Sequence, residues 1–132
     1  MPSESTLGIY IHVPFCVRKC PYCDFYSVPQ TAERMEQYGT ALCRFLRQMQ
    51  TDLPVDTIYF GGGTPSLLPV SLLEEILQTI AGTVSLRQPE ITLECNPATV
   101  DRKTLQQLRE IGINRLSIGV QSLSDVQLKR LG

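Results

Sequence analysis

Apolar residues recur along this chain with two periods. Short runs at 8–13, 55–60, 91–95 and 114–120 are aliphatic, β-branched or aromatic and read as strands, and each is followed by a stretch with helical spacing. Met35, Tyr38, Leu42, Phe45, Leu46 and Met49 repeat at three and four residues and form one stripe, with Thr31 placed to cap the helix they predict. Leu72, Ile76 and Ile80 lie beside Leu73, Leu77 and Ala81 in a second helix, which Pro69 opens and Gly82 stops. A third helix starts from Asp101 as cap, carries Leu105, Leu108 and Ile111, and ends at Gly112, with Val100 placed to staple against Leu105. Ser124 and Gln127 form a capping-box pair that opens a fourth. The segments 25–31 and 82–89 read as connections, the second ending at Pro89.

Four strand–helix units in succession imply a parallel sheet with right-handed crossovers, either an open α/β sheet or part of a barrel. Periodicity does not choose between them. In both, chemistry collects at the carboxyl ends of the strands, and every conspicuous polar motif here follows a strand. Alternation puts Tyr10 and His12 on one face of the first strand, opposite Ile9, Ile11 and Val13. Thr92, Glu94 and Asn96 likewise share a face of the third strand, opposite Ile91, Leu93 and Cys95.

Composition narrows the partners. Twelve basic and thirteen acidic residues give a net charge of −1 and are scattered, with no basic stripe to neutralise a phosphate backbone, so nucleic acid is not expected. No run approaches the ~20 apolar residues of a membrane span, and MPSESTLG lacks the basic and apolar regions of a secretory signal. The cytoplasm is the expected location. Five cysteines, three of them crowded together, fit metal ligation in a reducing compartment better than a disulfide framework.

Those three are Cys16, Cys20 and Cys23, at C-x3-C-x2-C spacing in IYIHVPFCVRKCPYCDFYS. Thiolates are soft ligands that hold iron–sulfur clusters, normally four to a cluster, so three from one loop leave one iron open to another ligand. The alternative is a structural zinc site completed by His12, Cys43 or Cys95, although zinc favours C-x2-4-C pairs and four protein ligands. Gly61, Gly62 and Gly63 follow a strand and allow a ligand to approach the backbone, or simply make a tight turn. The pattern is neither G-x-G-x-x-G nor a Walker loop. Glu94 at a strand end can accept two hydrogen bonds from a ribose diol, or be a solvated strand end. Phe15, Tyr22 and Phe25 shield the cysteines or merely pack.

Taken in order, IYIHVPFCVRKCPYCDF, DTIYFGGGTPSLL, ITLECNPATV and NRLSIGVQSLS make the whole chain resemble the radical S-adenosylmethionine enzymes, in the coproporphyrinogen III oxidase-like branch. The resemblance implies the N-terminal portion of a partial (β/α) TIM-like barrel, about four βα units over 1–132, with the family's C-terminal region absent. It implies a [4Fe-4S] cluster on Cys16, Cys20 and Cys23, whose fourth iron is chelated by S-adenosyl-L-methionine. Reductive cleavage of that cofactor then yields a 5′-deoxyadenosyl radical. By position in the family, Tyr10, Tyr22, Gly62, Gly63, Thr64, Glu94 and Gln121 are the cofactor-binding residues, with Gly62, Gly63 and Thr64 meeting the methionine amino group and Glu94 the ribose. His12, which shares a strand face with Tyr10 ahead of the cysteines, suggests a contact to the cofactor or to the residues that hold it, although a lone histidine is usually a core or surface residue.

Two departures refine the branch. The oxidases that the chain resembles carry a further cysteine two residues after the third ligand, where this sequence has Phe25, and CPYCDF with ECNPATV is similar to the heme chaperone branch. Heme handling is therefore expected over oxidative decarboxylation of coproporphyrinogen III, with an inactive truncated fold or a zinc module as the third possibility. The implied partners are S-adenosylmethionine, heme or a porphyrinogen, and an electron-donor protein. Heme itself is expected only in a full-length protein, because the resemblance puts its ligands in the C-terminal region.

Overall fold

In Leu7–Val13 (β1) and Val55–Gly62 (β4) the apolar residues Ile11, Val13, Ile58 and Phe60 are buried while Tyr10, His12, Thr57 and Tyr59 between and beside them are more open, as alternation requires. The structure is a computed structural model that describes residues 5–16, 28–29 and 31–119. Between β1 and β4 come the short paired strands Phe15–Cys16 (β2) and Val28–Pro29 (β3), then the helix Ala32–Arg47 (α1). The order continues through the helix Val70–Thr83 (α2), the strand Leu86–Cys95 (β5), the helix Arg102–Glu110 (α3) and the strand Arg115–Ile118 (β6). One-turn 3-10 segments at Pro65–Leu67 and Pro97–Thr99 follow β4 and β5.

The main sheet has the spatial order β1-β4-β5-β6, and all three pairings are parallel. Each strand is laid beside its predecessor, and the order never reverses as it does in a doubly wound sheet. This is the winding of a (β/α) barrel, and α1, α2 and α3 all cover one face. Ile11, Ile58, Phe60, Leu93 and Cys95 on that face join Cys43, Leu46, Leu73, Ile76, Ile80 and Leu108 from the helices in one core. Gly39 on α1 lies against Leu72 of α2, where a side chain would collide, so these helices pack closely.

The helix starts follow the capping chemistry. Thr31 accepts a hydrogen bond from the Arg34 amide at 3.1 Å and Asp101 accepts one from the Thr104 amide at 2.8 Å. Gly112 sits at φ +114°, a left-handed stop after α3. Val100 and Leu105 both pack against the core. Phe45 departs from its stripe and is 66% exposed, because it faces away from the sheet while Cys43 and Leu46 turn inward. Gly82 does not stop α2, which runs to Thr83.

The connection expected over 82–89 is mostly strand. β5 begins at Leu86 and runs through Pro89, which is tolerated because the ladder is irregular there: Val55 pairs with Leu86 but Thr57 with Glu90, and Gln88 has φ +39°. Asn114 repairs the neighbouring edge. Its side chain accepts from the Ile91 amide at 2.7 Å and donates to the Pro89 carbonyl at 2.9 Å. The helix expected from Ser124 lies outside the described residues.

Two glycine substitutions separate backbone strain from packing. Gly82→Ala adds a methyl into open space within a helix and should raise stability by about 0.5–1 kcal/mol. Gly112→Ala meets only Ile91 at 3.7 Å, yet forces an L-residue into left-handed backbone and should cost about 1–2 kcal/mol. Urea midpoints at unchanged m-value check both.

Candidate functional site

The face of the sheet turned away from the helices carries polar residues in register. Tyr10 pairs with Tyr59, Tyr59 with Thr92, and Thr92 with Arg115, so one row crosses all four strands. One step nearer the carboxyl ends stand His12, Gly61, Glu94 and Ser117. Thr92 is only 2% exposed, whereas Tyr10 is 59% exposed, so the row is open at the β1 end.

Glu94 is held at both oxygens. The Gly62 amide donates to Oε1 at 3.0 Å and the Tyr59 hydroxyl donates to Oε2 at 2.8 Å. Tyr59 also stacks on Tyr10, with ring centroids 5.9 Å apart and planes 19° apart. The hydrogen bond to Glu94, then burial and the same negative charge, push the Tyr59 hydroxyl pKa up, opposed by Ser117 and the charge of Arg115. Burial, then Glu94, raises Tyr10 as well. Both phenols are therefore protonated donors at neutral pH. The Tyr10 hydroxyl reaches a long 3.5 Å contact with His12 Nδ1.

The glycine run binds this row to the cysteine loop. A methyl on Gly61 would stand 2.9 Å from Glu94 Oε1, from the Tyr10 hydroxyl and from the Tyr59 ring. Gly62 has φ +111° and its methyl would meet the His12 ring at 2.7 Å. One on Gly63 would meet the Phe15 carbonyl at 2.5 Å and Cys16 Sγ at 2.8 Å. Three consecutive residues thus touch Tyr10, Glu94, His12 and Cys16, and any side chain would fill the space between them. The Gly63 amide donates to the Val13 carbonyl and the Thr64 amide to the Phe15 carbonyl, each at 2.7 Å. These bonds pin the stem that leads into Cys16.

Of the residues singled out by sequence, Tyr10, His12, Cys16, Gly62, Gly63, Thr64 and Glu94 come together at this rim. Cys20, Cys23, Tyr22 and Gln121 lie outside the described residues. Cys43 and Cys95 are buried on the opposite face in the helix-side core, away from Cys16, and burial raises the Cys95 thiol. Phe15 is buried and meets Tyr38 edge-on with centroids 5.4 Å apart. Tyr59 escaped the sequence reading. Its signal was the shared parity with Gly61 and the parallel register that sets it beside Tyr10. A groove lined by Leu105, Leu108, Ile113 and Leu116 lies on the far side of the sheet from Glu94.

The rim suits the groups that the sequence implies. Cys16 offers a partly exposed thiol, the glycines leave an open cradle beside it, and Glu94 and Tyr10 present acceptor and donor atoms to a polar ligand.

The Radical SAM superfamily profile matches residues 10–132. The chain is 41% identical over 133 residues to the heme chaperone HemW of Escherichia coli K12, covering 96% of this chain and 35% of that protein. It is 38% identical over 143 residues to HemW of Haemophilus influenzae, covering 100% of this chain and 37% of that protein. Among solved structures it matches the coproporphyrinogen III oxidase HemN of E. coli, described as a radical SAM enzyme, with a TM-score of 0.88 and 26% identity. That match covers 97% of this chain and 31% of the oxidase, so the chain spans about a third of the length of these proteins.

Tyr38 offers a pH-dependent check on how the rim is supported. Its hydroxyl donates to the His12 carbonyl at 2.6 Å, and burial, then Tyr10, pushes its pKa up to about 12. A tyrosine in the unfolded chain ionises near pH ~10. The unfolded state therefore sheds its proton first, so stability is full below pH ~10 and falls as pH rises towards the folded value. Tyr38→Phe should lose about 1 kcal/mol at neutral pH and lack that alkaline decline, read by urea melts across the interval.

Proposed function

Because the chain belongs to the radical SAM superfamily, we propose that it is the cluster- and S-adenosylmethionine-binding part of a HemW-type protein that handles heme. The observation that carries this reading is the glycine run, whose three residues touch Cys16, Glu94 and Tyr10 within one turn of chain. Cys16, Cys20 and Cys23 would hold a [4Fe-4S] cluster, and Tyr10, Tyr22, Gly62, Gly63, Thr64, Glu94 and Gln121 would hold S-adenosylmethionine. The cluster, when bound and reduced, supplies the electron for reductive cleavage of the sulfonium.

This chain's own residues account for binding and orientation. Gly63 and Thr64 spend their amides on the stem of the cysteine loop, while the Gly62 amide holds Glu94. Each Glu94 oxygen keeps a further acceptor position for a ligand hydroxyl. The stacked Tyr10 and Tyr59 rings lie beside the carboxylate and present a flat aromatic surface to a ligand.

Heme handling is favoured over porphyrinogen decarboxylation by two observations. The chaperones match at 41% and 38% identity and the oxidase at 26%. Phe25 also stands where the oxidases resembled here carry a cysteine. An electron-donor protein, and a reducing compartment such as the cytoplasm, complete the proposal. Among the described residues no helix is long and apolar enough to cross a membrane.

Anaerobic reconstitution tests the cofactor set. The chain should take up iron and sulfide with a brown chromophore, and added S-adenosylmethionine should change the electron paramagnetic resonance spectrum of the reduced cluster. Stoichiometric zinc without that chromophore would overturn the reading. Cys16→Ala should lose most of the iron, and Gly63→Ala should lower it by displacing Cys16, while Gly82→Ala leaves it unchanged. Incubation with coproporphyrinogen III should give no vinyl-bearing product, and its formation would favour the oxidase.

A further inference from the structure

Glu94 sits at a strand end, where the terminal torsion of a glutamate is soft and the carboxylate turns readily. Here it does not turn freely, because Gly62 and Tyr59 hold one oxygen each, at 3.0 and 2.8 Å. The Gly62 bond comes from backbone and is set by the loop. The Tyr59 bond comes from a side chain that nothing in the sequence motifs singles out.

Tyr59 is anchored on several sides. It is half-buried on β4, stacks on Tyr10 of β1 and donates to Glu94 of β5. One side chain therefore joins three strands on the open face of the sheet. Gly61, next along β4, leaves the space above it clear, since any Cβ there would lie 2.9 Å from the Tyr59 ring, the Tyr10 hydroxyl and Glu94.

From this geometry we infer that Tyr59 is a positioning residue, which fixes the plane of the Glu94 carboxylate so that its remaining lone pairs can receive the paired hydroxyl groups of a ribose. The inference rests on the reading that this rim takes S-adenosylmethionine. Preorganisation is the physical gain: a carboxylate already held by two donors loses little freedom when a diol arrives. The protonated phenol is needed for this, and the hydrogen bond to Glu94 favours that form.

Tyr59→Phe keeps the ring and its stacking on Tyr10 but removes the hydroxyl. In the anaerobically reconstituted full chain, calorimetric titration should show S-adenosylmethionine binding weakened about tenfold, the scale for a hydrogen bond to a charged group. Binding of free methionine, which has no ribose, should not change. Glu94→Gln should weaken S-adenosylmethionine at least as much, and adding Tyr59→Phe to it should cost little more, because the two residues act as a unit.

Each departure has a meaning. If Glu94→Gln weakens binding but Tyr59→Phe does not, the positioning role is wrong while the site reading stands. If Tyr59→Phe weakens methionine equally, the effect is general damage and the inference falls. If Glu94→Gln leaves S-adenosylmethionine binding intact, the assignment of Glu94 to this cofactor fails, and the inference with it. A variant that retains the phenol reads the tether separately. In Glu94→Gln the ultraviolet titration of Tyr59, isolated by subtracting the Tyr59→Phe protein, should move to lower pH, and an unmoved titration overturns the tether.

Discussion

Two backbone hydrogen bonds, from Gly63 to the Val13 carbonyl and from Thr64 to the Phe15 carbonyl, govern the layout of this protein's rim. They extend the β1–β4 ladder beyond the sheet proper and turn the end of β4 into a brace for the approach to Cys16. Because parallel strands deliver all their carboxyl ends to one edge, a brace there fixes the Cys16 thiol and polar side chains in one frame. The brace requires glycine at three successive positions, and the reason differs at each. Gly61 clears space for Glu94 and Tyr10, Gly62 takes a left-handed backbone beside His12, and Gly63 makes room for Cys16.

The sheet sorts its two faces by the rule that drives folding. Burial of Ile58, Phe60 and Leu93 against Leu73, Ile76 and Ile80 supplies the hydrophobic gain, at roughly 25 cal/mol per Å² of apolar area removed from water. The other face is left for Tyr10, Tyr59, Glu94 and Ser117, which contribute little to that gain and are available for recognition. Among the described residues no buried side-chain nitrogen or oxygen lacks a partner, so the polar face is compatible with the fold beneath it.

Much of this was legible in the sequence, for physical reasons that can be named. Thr31, Asp101 and Gly112 declare helix ends because capping and left-handed backbone are local chemistry, and local chemistry survives folding. The barrel winding became readable only through resemblance, since periodicity is the same in open and closed sheets. The first half of β5 was hidden by Arg87, Gln88 and Pro89, which look like a loop. Only the non-local repair by Asn114 and the irregular pairing with β4 make a strand there. Tyr59 was invisible for a related reason: its importance arises from neighbours 35 and 49 residues away, Glu94 and Tyr10, and no motif joins them.

The burial of Cys43 and Cys95 bears on which thiols an incoming metal could reach. The chain carries five sulfur atoms of one chemical kind, and iron or zinc arriving in solution could be captured in wrong combinations. By enclosing Cys43 at 1% and Cys95 at 5% exposure, the fold withdraws two of them from that competition, and burial holds Cys95 further from its reactive thiolate form. Chemical selectivity among identical groups is thus achieved by access alone, and a folded chain offers incoming metal a narrower choice than an unfolded one.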